Sequence, residues 1–331
     1  MTLKINLGII GTGRMGKKRA KALNKLDYVS IKWICSRNKK TGIKFAKEHD
    51  IKEVIINWEN GFQDKKIDGV IITAPNHLHD TLAINALKNN LHVLLEYPMA
   101  LTVKKSKNII NTAKNSSGIL HIGLTHRLDN KHQTIKQELN NLSPIRFCNI
   151  IQCSGKKISR WFDDKNKVGN VIIGSNYHYI DQILDWFGPL KWVNADIYEE
   201  PMKKDEKKIK KDIGSVMLKF KNDITAYITY ARGWPEPGLG YNCKIIGEDG
   251  YLVENNEQLE KWSVSGKKKL EYTNNDSTLE DTKLFINKIQ DNSHNSPYSV
   301  KDGLYGVKVA ELACKSVEEG KRKYINSFEL S

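Results

Sequence analysis

Up to about residue 125, the apolar positions fall into short solid runs separated by stretches of helical spacing. Residues 5–10, 29–35, 54–56, 69–73, 91–95 and 119–123 read as strands that are apolar nearly throughout. Helical spacing fills the segments after Gly11 to position 26, then 41–49, 79–89 and 103–114. Strands without a polar face, alternating with helices, predict a parallel sheet covered on both sides. Beyond residue 125 the pattern changes. Residues 146–153, 192–198, 215–220, 224–230, 243–246 and 251–253 are strand-like, and several alternate polar with apolar positions. Few helices are predicted among them before 304–320, and the charged stretch 201–211 reads as a surface loop or a fraying helix. The expected fold class is α/β, with a doubly wound parallel domain over 1–124. An α+β domain with a large, mostly antiparallel open sheet is expected over 125–331.

The turn after the first strand is Gly11-Thr12-Gly13-Arg14-Met15-Gly16, a G-x-G-x-x-G pattern between a strand and a helix. In that setting the first glycine permits the tight turn and the second lets backbone approach a pyrophosphate. The third packs the helix against the strand, so its N-terminal amides meet the phosphates. This predicts a Rossmann dinucleotide site. The second strand ends in Cys35-Ser36-Arg37-Asn38-Lys39-Lys40, with no carboxylate to select an unphosphorylated ribose. Ser36 and Arg37 are therefore expected to take a 2′-phosphate, with Lys39 or Lys40 adding positive potential; NADP(H) is preferred over NAD(H). The alternative for Arg37 is stacking on the adenine.

The formal charge is +15, carried mostly by scattered lysines rather than by arginine. No recognition helix or basic-aromatic stripe accompanies it, so a solvated surface is expected and no specific nucleic-acid partner. No apolar run is long enough to span a membrane, and the N-terminus enters a strand without a leader pattern, which makes the cytoplasm the default. Five scattered cysteines with no C-x-x-C pair read as buried thiols. His77, His79 and His92 lack a plausible third ligand, so no metal is expected.

Three further segments carry a resemblance: Thr73-Ala74-Pro75-Asn76-His77-Leu78-His79, His92 through Glu96-Tyr97-Pro98, and Tyr177-His178-Tyr179-Ile180-Asp181. With the glycine turn, they resemble the T-P-N-x-x-H, G-K-H-V-x-x-E-K-P and H-x-x-D motifs of the glucose-fructose oxidoreductase, inositol dehydrogenase and rhizopine catabolism (Gfo/Idh/MocA) family. Trp161 and Gly169 before the last motif, Gly247-Glu248-Asp249-Gly250 after it, and the terminal helix pattern extend the likeness over nearly the whole chain. The resemblance implies a nicotinamide lying over Thr73, Ala74, Pro75 and Asn76, near His79 and Glu96, Tyr97 and Pro98. It also implies a Tyr97-Pro98 bond that is often cis in such proteins. The open second sheet would form a homodimer or homotetramer.

Two positions depart from the family's sugar-oxidising pattern. Tyr97 stands where that pattern has Lys, and Gly174-Ser175-Asn176-Tyr177-His178 puts Gly174 in place of the Asp of D-x-G-x-H. Tyr97 and His178 are the residues expected to handle the proton, a phenol being a poor base at neutral pH but a serviceable acid. The alternative for Tyr97 is an aromatic wall for the nicotinamide. Arg127, Arg160, Trp161, Asn176, His178, Asp181 and Trp234 are the substrate-pocket candidates; the two tryptophans also read as core. The expected activity is hydride transfer to or from a small molecule, a sugar derivative or related carbonyl or imine compound. Glu96-Tyr97-Pro98-Met99 also looks like biliverdin reductases, making a bilin the alternative substrate. A third reading is a non-catalytic NADP-binding regulator.

Overall fold

The computed structural model describes residues 4–155, 160–203, 205–234, 240–255 and 258–325. The chain forms two compact units. The first runs to Leu128 and takes in Asp276–Leu304; the second comprises Asp129–Asn275 and the chain from Tyr305 onward.

In the first unit, six strands pair in parallel in the order β3-β2-β1-β4-β5-β6. They are β1 (Ile5–Ile10), β2 (Val29–Cys35), β3 (Glu53–Ile55), β4 (Gly69–Ile72), β5 (His92–Leu95) and β6 (Leu120–Ile122). Helices α1 (Arg14–Leu23), α2 (Lys39–Glu48), α3 (Trp58–Phe62), α4 (His79–Lys88) and α5 (Val103–Lys114) alternate with them. The strand order reverses between β1 and β4, and a doubly wound sheet opens its ligand crevice at the carboxyl end of such a switch point. The core joins Leu7 and Ile9 of β1, Ile34, Ile71 and Leu94 to Ala20, Leu23 and Phe45 of the helices. Phe285 and Ile286, both fully buried, join the same cluster from helix α9 (Ser277–Gln290).

The second unit holds a nine-stranded sheet ordered β14-β13-β12-β11-β7-β10-β9-β8-β15. Its strands are β7 (Ile145–Ser154), β8 (Leu190–Met202), β9 (Asp205–Phe220), β10 (Thr225–Arg232), β11 (Gly240–Gly247), β12 (Gly250–Asn255), β13 (Leu259–Ser263), β14 (Gly266–Lys269) and β15 (Lys323–Tyr324). Among the described residues of this sheet, β7 and β10 alone run parallel, and the other neighbours are antiparallel. One sheet face is lined by Cys148, Ile150, Ala226, Ile228, Val216 and Leu218, all buried. Helices of this unit are α6 (Asn130–Glu138), α7 (Lys165–Val168) and α8 (Tyr177–Phe187), with most of α10 (Val300–Glu319).

The structure corrects the reading of 201–211. Apart from position 204, which is not described, those residues are the ends of β8 and β9 and the turn between them: Pro201 lies opposite Ile209, and Met202 opposite Asp205. Ile209 is buried, Lys210 bonds Glu200 on the neighbouring strand, and Lys211 pairs with the same carboxylate. One buried anchor and cross-strand charge pairs outweigh the weak strand propensity of lysine.

Candidate functional site

The glycine turn has the geometry a pyrophosphate requires. Gly11 has φ +109°, and a Cβ there would lie 2.7 Å from the carbonyl oxygen of Thr73. A Cβ on Gly16 would come within 2.2 Å of the Gly11 oxygen, so α1 packs against the turn only through glycine. Gly13 is different. It is exposed, and nothing lies within 4 Å of where its Cβ would be. It caps α1 without a side-chain hydrogen bond, and the first turn contains no acid. The uncapped amides and open approach fit a bound phosphate. Thr12, Arg14 and Met15 all retain solvent exposure around this opening. Thr73 closes the other side, its Oγ1 donating to Ile10 O at 3.0 Å or Gly11 O at 3.1 Å.

At the end of β2, Ser36 is buried and its hydroxyl already bonds within the next turn, to Asn38 O at 3.0 Å and Thr41 Oγ1 at 3.1 Å. Asn38 caps α2 by accepting from Thr41 N. Arg37, Lys39 and Lys40 are exposed, and the first turn of α2 again lacks an acid.

His79 clamps the two loops expected to flank the nicotinamide. Its Nδ1 lies 2.8 Å from Pro98 O and its Nε2 2.8 Å from Ala74 O. Burial lowers its pKa below the ordinary imidazole value, although both carbonyls pull the other way. Ala74 and Asn76 are buried, Pro75 partly so, and the Tyr97-Pro98 bond is cis. Tyr97 is partly exposed, whereas its neighbour Glu96 is buried.

Glu96 is engaged from below by a residue that no sequence motif singles out. Arg19 of α1, wholly buried, donates from Nε to Glu96 Oε1 at 2.7 Å and pairs through Nη1 with Asp281 Oδ2 at 2.5 Å. Asp281 of α9 also meets His121 Nε2 at 2.9 Å and the Tyr298 hydroxyl. Burial pushes Asp281 toward neutrality, but Arg19 and His121 outweigh it and bring its pKa to about 2. For Glu96 burial wins over Arg19, and its pKa is raised. A Cβ on Gly123 would sit 2.4 Å from Arg19 Nη2, so glycine there makes room for the guanidinium. The available signal was a charged residue on the same helical face as Gly16, Ala20 and Leu23.

Arg127 is buried and pairs with Asp302 Oδ1 at 3.0 Å. The remaining candidates belong to the second unit. His178 and Asp181 sit on the first turns of α8, partly and fully buried respectively. Asn176 is wholly buried and donates from Nδ2 to Gly214 O at 2.9 Å. Trp161 packs on Phe162, with ring centroids 4.2 Å apart. Trp234 lies under Lys211 Nζ at 4.9 Å. The Arg160 side chain lies outside the described residues. Asp212 and Arg232, likewise not anticipated, form a buried ion pair beside Ser175.

Among the described residues no group of three His, Cys, Asp or Glu is arranged to hold a metal, and no helix is long and apolar enough to cross a membrane.

Known proteins share this fold. The family described as "Oxidoreductase family, NAD-binding Rossmann fold" matches residues 5–124, and its C-terminal α/β domain matches 145–326. Myo-inositol 2-dehydrogenase of Thermotoga maritima is 21% identical over 333 residues, covering 95% of this chain and 97% of that one. The uncharacterized oxidoreductase YrbE of Bacillus subtilis is 24% identical over 141 residues, 43% of this chain; the chain spans only 41% of that relative's length. Biliverdin reductase from Synechocystis sp. PCC 6803, solved with biliverdin and NADP+, superposes with a TM-score of 0.88 at 21% identity. The match covers 95% of this chain and 99% of that one. Two family domains in order, over a glycine turn built for a dinucleotide, place this chain in the Gfo/Idh/MocA family of NAD(P)-dependent oxidoreductases.

Proposed function

We propose that this oxidoreductase works as an NADPH-dependent reductase in which Tyr97 and His178 handle the proton. The observation that carries this reading is Tyr97 at the end of β5, in the frame where the resemblance implies Lys. When bound, the cofactor supplies a hydride. A reduction also requires a proton donor beside the acceptor atom, and a phenol gives up a proton far more readily than it captures one at neutral pH. Gly174 in place of the family's Asp removes a second base, which weighs in the same direction. His79 and the Arg19–Glu96 pair hold the Tyr97 segment from both sides. Arg37, with Lys39 and Lys40 on an acid-free helix start, supports a preference for the 2′-phosphate of NADP(H). Ser36 contributes by shaping that turn, since its hydroxyl is already bonded.

The substrate class we favour is a bilin. Glu96-Tyr97-Pro98-Met99 looks like the biliverdin reductases, and the solved biliverdin reductase matches over 99% of its length. A sugar-derived carbonyl or imine is the second reading, supported by His178 and Asp181 in the H-x-x-D spacing and by the full-length match to a myo-inositol dehydrogenase. Copies would pair through the face of the second sheet that exposes Tyr227, Ile246 and Tyr251.

The test is oxidation of NADPH by the purified protein with biliverdin, and in parallel with keto-derivatives of inositols and sugars. Loss of NADPH absorbance together with a changed bilin spectrum is the expected result. Turnover of keto-sugars alone would move the substrate to the second reading. Tight NADPH binding without turnover of any acceptor would overturn the proposal.

A further inference from the structure

Residues Ile172–Asn176 form a π-helical turn that runs directly into α8. A π-turn is wider than an α-turn, and this one forms the N-terminal end of the helix that continues as α8, just after the non-helical Gly169 and Asn170. His178 lies two residues past the turn. The backbone that carries His178 therefore continues directly from the wide turn.

The groups that hold it open lie on the covered face of the sheet. Along β9 and β10 the register partners on that face are Leu218 with Ala226, Val216 with Ile228, Gly214 with Tyr230, and Asp212 with Arg232. The row is mostly apolar until its last rung, which is a charge pair buried almost completely. Arg232 Nε donates to Asp212 Oδ1 at 2.7 Å and Nη2 bonds Oδ2, a fork-on-fork arrangement. The third nitrogen, Nη1, donates to Ser175 Oγ at 3.3 Å, inside the π-turn. Beside it Asn176 Nδ2 grips Gly214 O. Space for the turn comes from two glycines. A Cβ on Gly174 would fall 2.5 Å from Val168 Cγ2, and one on Gly214 would fall 2.7 Å from Val171 Cγ1 and 3.0 Å from Asn176 Oδ1.

An apolar pair at this rung would stabilise the sheet as well or better, because burying two charges costs more desolvation than packing hydrocarbon. What hydrocarbon cannot do is point a donor at Ser175 from a planar fork fixed by a carboxylate. We propose that Arg232, locked by Asp212, is the positioning residue for His178: it fixes the π-turn that sets the direction of that imidazole. The inference rests on the reading of His178 as a proton-handling group.

The test compares R232M, R232K, D212N and S175A with the parent enzyme, alongside H178Q. Three quantities are read: NADPH affinity, kcat and KM with biliverdin or whichever keto-acceptor is turned over, and the NMR signals of the His178 ring, assigned by their loss in H178Q. In R232M and D212N, kcat should fall on the order of 100-fold, as for a displaced catalytic group, with NADPH affinity retained and the His178 signals moved. R232K should recover part of kcat, and S175A, which spares the ion pair, should move the same signals by less. If R232M folds with kcat and ring signals unchanged, the proposal is overturned. It is equally overturned if kcat falls while the ring signals stay in place. Should R232M and D212N fail to fold, unmoved ring signals in S175A and R232K overturn it. Unchanged turnover in H178Q would sink the functional reading instead, while the ring signals would still decide whether Arg232 orients His178.

Discussion

Arg19 Nε donates to Glu96 Oε1 across 2.7 Å with both side chains buried, so the helix that opens at the glycine turn is fastened to the residue preceding Tyr97. The same guanidinium reaches Asp281 on α9, a helix that comes after some 150 residues of intervening chain. Removing the arginine leaves two carboxylates in a dry site. R19M should therefore lower stability by about 3–5 kcal/mol, the usual cost of stranding a buried charge. Chemical denaturation of R19M against the parent measures it. A loss below about 1 kcal/mol would mean that the carboxylates find other partners or take up protons.

The Asp281 side of this cluster predicts an acid dependence. Its folded pKa of about 2 lies below the ordinary aspartate value of 3.8, so it contributes stability above about pH 4 that disappears as pH falls toward 2. The difference corresponds to about 2 kcal/mol at neutral pH. Glu96 has the opposite sign, because burial raises its folded value and protonation relieves rather than adds cost. The stability gap between the parent and D281N should therefore narrow between about pH 4 and pH 2. A gap that is constant over that window would exclude the ionised Asp281 as its source.

The sequence shows which elements exist better than it shows what closes them together. The parallel strands were legible because they are apolar for most of their length, even with Ser30 and Lys32 in β2 and His121 in β6, and G-x-G-x-x-G could be placed because a strand precedes it. Helix α8 shows in the sequence only as a motif: its buried Tyr177, Ile180, Leu184 and Phe187 have helical spacing, but the surrounding strand-like runs mask it. Helix α9 carries the same signal in Leu279, Phe285, Ile286 and Ile289, inside a half of the chain read as mainly sheet. Arg19 shows in the sequence only as a charge on an otherwise apolar helical face, and its pairing with Asp281, like that of Asp212 with Arg232, was not legible. Their partners lie 262 and 20 positions apart, and no local pattern distinguishes a buried charge from a solvated one before the fold brings its counter-charge.

The two glycines of the turn predict opposite outcomes for one substitution. A methyl group at Gly13 meets no protein atom within 4 Å, so G13A should fold with stability close to the parent. It would protrude where backbone must approach the pyrophosphate, and affinity for NADPH should fall on the order of tenfold or more. At Gly16 the methyl meets the Gly11 oxygen at 2.2 Å, so G16A should lose stability whether or not cofactor is present. Thermal unfolding and NADPH titration of both variants separate the two roles. Equal loss of stability in both would show that Gly13 is needed by the fold rather than by the ligand.

Arg37 and Tyr97 address different halves of the proposed reaction and should separate cleanly. In R37A, affinity for NADPH should fall about tenfold, the worth of one charge-assisted contact, with affinity for NADH nearly unchanged. In Y97F the ring remains, so NADPH should bind as before. The hydroxyl proton is gone, and kcat should fall on the order of 100-fold, within the range general acid catalysis contributes. The solvent isotope effect gives the finer check. If Tyr97 donates the proton, replacing its hydroxyl makes proton transfer from another source more rate-limiting, and the effect of D2O on kcat should grow. If Tyr97 instead only walls the nicotinamide, Y97F should keep both kcat and its isotope effect, and the phenol is not the donor.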